Sequence, residues 1–536
     1  MTEPPNAASE GLLYSLLDDP LISYRHAEDG RRLKANLPEL FVAMCNDEVR
    51  DFPALRPHQR HPWHAFLCQV AAIALHQADQ TEPLPTADAW RQALLSLTPN
   101  DLDGAAWCLV SPPSRPALLQ APVRGSDISS WDVKIDAPDR LDMLITSRNH
   151  DQKRSRMVTA NAEDWLFALL SLQTQEGSNS GSYKGISRMN SGAGSRPSVG
   201  VSPGLGFGRR WRTDVTLLLK HRAKISDDYN LRSAGGVALV WLAPWNGTNQ
   251  ISFAELDPLY VEICRQVRLV VKSDRLWAAT SKTPIARISA EERKGVTGDP
   301  WAPINSDKEC VLWVPDTGFG YALMTDLMLG GNIKPSIAQD MTNWPTGTTL
   351  HLYAQGIARG NSKTFGMHER RVPISPKVRR LMLGSERASL AGMAKDRVAA
   401  VGDIHELLEQ SILVLFGSGS LPKKLNPSTR AKRDKFARPF ELREDARFFV
   451  DLTAEVEADD ARAARLNWLI GLVARAEETL KQAFDAGPRN GMQRYRAQAA
   501  ALSRFHSALR GVKSPLPMLA QHYQDSRKSN EEETQT

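Results

Sequence analysis

Hydrophobic residues in the first three-quarters of the chain follow both helix-like and strand-like patterns. A helix is predicted to begin at residue 36, because Asn36 can cap it and Pro38 suits its first turn. Apolar residues at spacings of three and four predict further helices over RHPWHAFLCQVAAIALHQ, TADAWRQALLSL and EDWLFALLSLQT. Short apolar runs predict strands over TDVTLLLKHR, GVALVWLAPW, VRLVVKS, ECVLWV and TLHLYAQGI. These elements predict a mixed domain over residues 1–375.

Strand-like runs disappear beyond residue 375. Four amphipathic segments with polar links predict a four-helix bundle over residues 376–536, with a break at Gly402 and a polar tail from Gln521. The basic stretch 423–438 is predicted to be a solvated loop between helices, and a nucleic-acid contact is the alternative. The predicted fold class is α+β, a large mixed N-terminal domain followed by a C-terminal four-helix bundle.

Composition narrows the class of protein. The 536 residues include 67 Lys and Arg against 61 Asp and Glu, a mildly basic balance, and 42% hydrophobic residues exclude global disorder. The cysteines are too scattered for a zinc finger or a disulfide framework, which favours a reducing compartment. No run approaches the roughly 20 apolar residues of a membrane span. We expect a soluble cytoplasmic protein with no membrane contact, no metal and no cofactor. The cysteines are Cys45, Cys68, Cys108, Cys264 and Cys310.

A glycine- and serine-rich stretch over residues 177–212 is the most informative segment. Residues 177–208 contain nine Gly and eight Ser and no acidic residue. Backbone without a Cβ can approach a phosphate or a groove edge closely, and interleaved cations neutralise phosphate charge. Binding is therefore favoured over a flexible linker. The cations in the stretch are Lys184, Arg188, Arg196, Arg209, Arg210 and Arg212.

The same stretch does not match the known nucleotide-binding loops. Gly177, Gly181 and Lys184 do not have the P-loop spacing. GLGFGRR at 204–210 lacks the third glycine of a dinucleotide loop, and the preceding segment is not predicted to be a strand that leads into a helix. Nucleotide hydrolysis is therefore disfavoured.

Two further basic segments could contact nucleic acid. The loop TSRNHDQKRSRM could bind a single-stranded backbone or an acidic partner, and a solvated charged loop is an equally good interpretation. Its cations are Arg148, Lys153, Arg154 and Arg156. The hairpin around Arg359 carries amide, hydroxyl and ammonium groups at its tip, which can enter a minor groove, although a plain surface hairpin is favoured from sequence alone. The tip residues are Asn361, Ser362 and Lys363.

No arrangement of residues predicts catalysis. His58, His61 and His64 are close in sequence, but Pro62 and the i, i+3, i+6 spacing favour capping and packing roles over metal binding. No paired carboxylates, H-E-x-x-H or G-x-S-x-G motif occurs. The residues alone predict a nucleic-acid-binding scaffold.

Several blocks resemble a known family. LPELFVAMCNDEVRDFPALRPHQRHPWHAFLCQVAAIAL, LITSRNHDQK, DWLFALLSLQTQEG, GISRMNSGAGSRP and GDPWAPI resemble the large subunit of the type I-E CRISPR Cascade complex, the CasA family. The order of a mixed domain and a helical bundle is also similar. The resemblance implies a non-catalytic subunit of an RNA-guided complex that reads a PAM (a short motif beside the target) in double-stranded DNA, starts strand separation and helps to recruit a helicase-nuclease.

The resemblance also implies roles for particular residues. Its glycine loop corresponds to the stretch holding Gly177, Gly181 and Lys184, and its wedge hairpin to Arg359–Thr364, where Asn361 is retained but the family's Gln is replaced. Lys308 is the candidate for a PAM-contacting lysine. The loop over residues 146–160 corresponds to the one that reaches the 5′ handle of the guide RNA. Some relatives carry clustered cysteines, which this chain lacks, so no zinc is expected.

The predicted partners are therefore double-stranded target DNA, CRISPR guide RNA, the other Cascade subunits and the helicase-nuclease. Two alternatives stay open. One is a general RNA- or DNA-binding scaffold protein, and the less favoured one is a nucleic-acid-processing enzyme.

Overall fold

The structure of the chain is a computed structural model. It describes residues 11–142, 160–178, 181–191, 194, 196–204, 206–342, 344–360, 363–422, 424–511 and 514–533. These residues divide into two compact units. The first unit comprises Met1–Phe319 and Gly330–Val372, and the second comprises Gly320–Leu329 and Pro373–Thr536.

Five α-helices lie in the described part of the first unit. They are α1 (Leu37–Cys45), α2 (Arg60–Gln77), α3 (Ala87–Ser96), α4 (Ala162–Gln175) and α5 (Phe207–Tyr229). The expected start of α1 is confirmed, since the Asn36 side chain accepts a hydrogen bond from the Glu39 backbone and Glu39 returns one to Asn36. Helix α2 is buried on all sides over residues 61–75, so it forms the centre of the core.

The strands of the first unit form small sheets of two or three strands. The strands that precede the long hairpin are β1 (Leu13–Ser15), β2 (Ile22–His26), β3 (Arg32–Ala35), β4 (Val49–Asp51), β5 (Cys108–Val110), β6 (Asp132–Ile135), β7 (Ser198–Ser202), β8 (Val237–Leu239), β9 (Ile251–Ser252), β10 (Leu256–Val261), β11 (Gln266–Lys272), β12 (Arg275–Ser281), β13 (Ile288–Ser289), β14 (Ile304–Asn305), β15 (Cys310–Val311) and β16 (Ile333–Lys334). The predicted α+β class is confirmed.

A long hairpin completes the strands. It consists of β17 (Leu350–Gly360) and β18 (Lys363–Ile374). Strand β17 also pairs antiparallel with β7, with His351 opposite Ser202 and Gln355 opposite Ser198. The order β18–β17–β7 therefore connects the hairpin to the glycine-rich stretch through a shared sheet.

One predicted strand of this unit is wrong. TDVTLLLKHR lies inside the 23-residue helix α5. Helix α5 packs against α1, α2 and β10, and its residues Val215, Leu217 and Leu218 are all buried. A helix that is covered on several sides carries a continuous apolar run, which periodicity cannot distinguish from a buried strand.

The second unit is helical. Its helices are α6 (Tyr321–Leu329), α7 (Pro376–Leu383), α8 (Arg387–Phe416), α9 (Pro427–Glu457), α10 (Ala461–Gln482), α11 (Gly491–Arg510) and α12 (Pro517–Glu533). Its core joins residues of α8 to α12, including Leu408, Phe440, Leu472 and Phe505. No helix among the described residues is long and apolar enough to span a membrane.

Local details of the second unit differ from the sequence predictions. Helix α8 continues through Gly402, and α9 begins at Pro427, so most of the predicted basic loop is helical. Asn426 caps α9 by accepting a hydrogen bond from the Thr429 backbone, and Pro427 occupies its first turn, which explains the early start. The polar tail from Gln521 is helical as far as Glu533.

Candidate nucleic-acid interface

The glycine-rich stretch begins with a closed loop over residues 177–186, termed here the glycine loop. Its ends meet where the Ile186 backbone donates to the Glu176 carbonyl at 3.1 Å and the Gly185 backbone donates to Ser178 Oγ at 3.0 Å. A Cβ on Gly185 would lie 2.6 Å from the Gly177 carbonyl carbon, so only glycine allows the two ends to cross this closely. A Cβ on Gly181 would meet open space, so the turn of the loop is accessible.

Two neighbouring segments hold the glycine loop in place. Arg265 donates to the Gly177 carbonyl at 2.5 Å and also to the Lys184 carbonyl. The Lys184 backbone donates to the Thr283 carbonyl, and the Thr283 backbone donates to the Ser182 carbonyl, each at 2.9 Å. These anchors lie about 80 to 100 residues away in sequence, so local patterns did not indicate them. The loop is therefore ordered at its base, unlike a free linker.

Lys184 is the cation of this loop. Its ammonium lies 2.9 Å from Glu291 Oε1, and the two side chains are 34% and 69% exposed. An exposed pair of this kind contributes about 0.2–1 kcal/mol. A phosphate can therefore displace Glu291 at little cost.

An ion pair connects the base of the glycine loop to the end of strand β17. Arg359 Nη2 lies 3.1 Å from Glu176 Oε1, and the two side chains are only 15% and 9% exposed. Glu176 directly precedes Gly177, and Arg359 directly precedes Gly360, the last residue of β17. The base of the glycine loop and the end of strand β17 therefore lie next to each other. Burial raises the pKa of Glu176, and the guanidinium groups of Arg359 and Arg265 oppose that shift.

An exposed aromatic ring lies beside the hairpin end. The side chain of Phe365, on β18, is 54% exposed, although most phenylalanines of this unit are buried. Its ring covers Gly360, where a Cβ would lie 2.9 Å from Phe365 Cε2. The sequence analysis missed this residue. Phe365 could have been identified from the sequence, because it is an aromatic residue two positions after the predicted tip.

The remaining predicted site residues have separate locations. Lys308 is exposed in the turn between β14 and β15, where its backbone donates to Asn305 Oδ1 at 3.0 Å. The backbone of Lys363 begins β18. The other predicted contacts lie outside the described residues: Asn361, Ser362, Arg148, Lys153, Arg154 and Arg156.

Two cations of the glycine-rich stretch are internal, and the expectation that they neutralise phosphate is wrong for them. Arg196 is 1% exposed and its Nε lies 2.5 Å from Asp299 Oδ2. Arg188 is also 1% exposed and stacks on the ring of Tyr260, with its guanidinium carbon 4.0 Å from the ring centroid. Their partners come from distant segments, so an acid-free local stretch gave no sign of these pairs.

A buried polar cluster lies elsewhere in the core of this unit. His64 Nε2 is 2.7 Å from Asp214 Oδ2, and Cys68 Sγ completes a group of three potential metal ligands. Asp214 Oδ2 also accepts a hydrogen bond from Trp301 Nε1 at 2.9 Å, and the cationic Arg210 lies 3.9 Å away. These hydrogen bonds join α2 to α5 and connect both helices to Trp301.

Solved structures with the same fold are known, although no protein-family model and no curated protein matches the sequence. Cse1 from Acidimicrobium ferrooxidans superposes with a TM-score of 0.62 at 16% identity and covers 97% of this chain and 99% of its own. Thermus thermophilus CasA (Cse1) gives a TM-score of 0.61 at 14% identity, with 92% and 98% covered. A chain of a CRISPR RNA-guided surveillance complex gives 0.60 at 12% identity, with 92% and 99% covered.

These superpositions extend over nearly the whole of both chains. The protein therefore has the fold of Cse1, which is also called CasA. The fold that the sequence blocks implied is confirmed.

Proposed function

We propose that this chain is the large, non-catalytic subunit of an RNA-guided type I-E CRISPR surveillance complex. In this role it recognises the PAM in double-stranded DNA, starts strand separation and helps to recruit a helicase-nuclease. The Cse1/CasA fold supports the assignment. The observation that carries it is the Arg359–Glu176 ion pair, because it brings an accessible glycine loop and a hairpin end to one place.

The glycine loop supplies the first part of the mechanism. The turn at Gly181 has no side chain and open space around it, so its backbone can approach the minor groove where larger residues would clash. Lys184 stands at the end of the same loop and supplies a cation for a nearby phosphate. Gly177 keeps the loop closed through its contacts with Gly185 and Arg265. Lys308 is a second proposed PAM contact.

The hairpin supplies the second part. Asn361, Ser362 and Lys363 are the proposed DNA contacts at its tip. Phe365 is the proposed stacking surface, because it is the exposed aromatic ring of this hairpin and phenylalanine can insert between base steps. Arg359 acts as a positioning residue, since its guanidinium is engaged with the buried Glu176.

A small protein contribution can decide whether the duplex opens. Unstacking one base step costs a few kcal/mol, and replacing the DNA duplex by the guide–target hybrid is close to balanced. Only a duplex whose groove contacts offset the first unstacking step is then opened. The loop over residues 146–160, with Arg148, Lys153, Arg154 and Arg156, is the proposed contact to the guide RNA.

The proposal is tested on the reconstituted complex. The full chain is assembled with guide RNA and the partner subunits, and binding is measured against a library of duplexes that vary beside the target. Wild-type protein should select a short PAM. Lys184→Ala should weaken target binding at least tenfold while the complex still assembles.

A matched control distinguishes this role from general charge loss. Lys272→Ala removes another exposed lysine, on β11, and should leave target binding unchanged. Equal binding to every duplex in the library, with only a salt dependence, would instead favour a general nucleic-acid-binding scaffold.

A further inference from the structure

A cationic cleft lies in the first unit at the start of helix α5. Its volume is about 770 Å³. The walls come from the β2–β4 region, from the first turn of α5 and from the hairpin strands β17 and β18. The proposed function does not use this cleft. Its polar lining consists of Arg25, Asp47, Arg50, Asp51, Arg60, Arg209, Arg210, Gln355 and Arg371.

Charge in the cleft is unbalanced. Among the described residues, six arginines and two aspartates line the cleft, and Glu369 beside it pairs with Arg60 at 3.3 Å and with Arg371 at 3.1 Å. Arg25 is neutralised by Asp51, with Nε to Oδ1 at 2.6 Å and Nη2 to Oδ2 at 2.8 Å. Arg209 is 62% exposed, and its Nε lies 3.9 Å from Asp47, which is too far for a hydrogen bond. Arg50 is exposed and has no acidic partner among the described residues. Arg50 and Arg209 are therefore the cations of the cleft whose charge is available to a ligand.

Buried polar groups in the wall also lack partners. Gln355 is 5% exposed, and its Nε2 has no hydrogen-bond acceptor in the described part of the chain. Arg210 lies against the ring of Tyr353, 3.8 Å from its centroid, and its Nε and Nη2 are likewise without acceptors among the described residues. A buried donor left without an acceptor costs about 1–3 kcal/mol. Because these donor atoms are themselves buried, Gln355 and Arg210 would meet an anionic ligand in the cleft only after their side chains turn toward it.

The backbone adds further donors. Strand β7 leads through the GLGFGRR segment into α5, so this segment does join a strand to a helix, contrary to the sequence prediction. No side chain in the described part of the chain caps the helix at Gly206, so its first backbone N–H groups are donors that an anion could use. A Cβ on Gly208 would lie 2.5 Å from the Met44 carbonyl oxygen, so glycine lets the start of α5 sit directly on α1 at the cleft wall.

We propose that this cleft binds the phosphodiester backbone of single-stranded nucleic acid. Guanidinium groups match phosphates in bidentate geometry, and the described lining holds six of them, more than one phosphate engages in this way. The cleft has the size of a small-ligand site, which admits a short run of one strand and excludes a double helix. Phe207, also in the wall, offers a ring for base stacking.

The site is independent of the glycine loop. The cleft shares no residue with the loop over 177–186. An experiment can therefore disprove single-strand binding by the cleft without disproving the proposed function, and the reverse. The strand could be RNA or DNA, because the phosphodiester backbone is common to both.

The test uses the full-length chain and fluorescence anisotropy with labelled oligo-dT and oligo-U at several salt concentrations. The double variant Arg50→Gln/Arg209→Gln changes two exposed arginines of the cleft, so folding should be preserved. It should weaken binding of both oligonucleotides about tenfold or more. The slope of log affinity against log salt should fall by about 0.7 for each arginine that contacts a phosphate. Arg210→Gln should act in the same direction.

Controls define the outcomes. Arg275→Gln changes an exposed arginine on β12 and should leave the affinity unchanged. Oligo-dT and oligo-U with similar slopes would support backbone recognition, and the tighter of the two would identify the preferred strand. Unchanged affinity of the double variant, or competition by inorganic phosphate alone as effective as by an oligonucleotide, would overturn the proposal.

Discussion

Arg359 at the end of strand β17 and Glu176 at the base of the glycine loop form a nearly buried ion pair 3.1 Å long. Each residue directly precedes a glycine, and those glycines begin the two segments proposed to meet DNA. The pair therefore couples the position of one segment to that of the other. Because the pair is nearly buried, its contribution to the free energy of unfolding should be large.

Removing one member of this pair should cost more than removing both. Arg359→Met leaves the Glu176 carboxylate buried without that partner, which should lower the free energy of unfolding by about 3 kcal/mol. The double variant Arg359→Met/Glu176→Gln should recover much of that loss. Urea denaturation of the four proteins gives the coupling energy. Simple additivity of the two single variants would show that the pair does not couple the segments.

Phe365 should be required for strand opening more than for docking. Phe365→Ala removes the exposed ring at the hairpin end and should slow opening of the first base pair about tenfold or more, because stacking on an aromatic ring contributes about 1–3 kcal/mol. A 2-aminopurine probe at that base pair reports the opening. Binding to a target that is already melted there should be unchanged. Tyr495→Ala, which removes another exposed aromatic ring, on α11, is the control.

The stability of the first unit should fall between pH 6.5 and pH 4. Burial lowers the pKa of His64 to about 4 and that of His61 well below its usual range. Over this interval the unfolded chain binds more protons than the folded chain, so the free energy of unfolding decreases as the pH falls. His64 alone should contribute about 2 kcal/mol of that loss at pH 5.

His61 provides the test of this pH dependence. Both of its ring nitrogens lack hydrogen-bond partners among the described residues, so His61→Leu removes the titrating group without breaking a bond observed there. Unfolding measured in urea at pH 7 and pH 5 should show a smaller loss for the variant than for the wild type. An identical loss would mean that His61 does not contribute.

Glu455 should be essential for the stability of the second unit. Its Oε2 accepts from Arg397 Nε at 2.7 Å and lies 3.7 Å from Arg465, and both guanidinium groups stack on Trp468. Glu455→Gln removes the carboxylate that both cations face and should cost about 3–5 kcal/mol. Thermal and urea unfolding measure the effect.

The exposed pair of Glu478 with Arg443 is the matched control. Their side chains are 56% and 39% exposed at 2.6 Å separation, so Glu478→Gln should cost less than about 1 kcal/mol. Equal losses for the two glutamate variants would contradict the importance assigned to burial.

Capping signals and periodicity predicted much of the helical framework. Asn36 and the periodic residues after Trp63 gave α1 and α2, because caps and short-range spacing are encoded locally. Part of helix α5 was predicted to be a strand. Leu217 and Leu218 belong to an apolar run, and only tertiary packing shows that such a run is a buried helix and not a buried strand. Local sequence patterns therefore predicted helices that have caps or one apolar face. They failed for a helix that is buried on several faces.

The candidate site was predictable in part for the same reason. The glycine loop could be recognised from composition, but Arg265 and Glu176, which set its position, act through contacts far apart in sequence. Arg196 looked like a free cation because Asp299, its partner, is 103 residues away. Counting charges within a window cannot find such pairs.

The discontinuity of the second unit has a consequence for synthesis on the ribosome. Helix α6 belongs to that unit, yet the chain returns to the first unit from Gly330 to Val372 before the second unit resumes. The apolar residues Met324 and Leu327 of α6 pack in the finished protein, where α6 contacts α8, a helix translated later. At about 5–20 residues per second, α6 waits several seconds for that partner. During that interval the apolar face of α6 is exposed to solvent. Nascent chains halted near residue 372 should therefore recruit chaperones more strongly than chains that extend past Phe416.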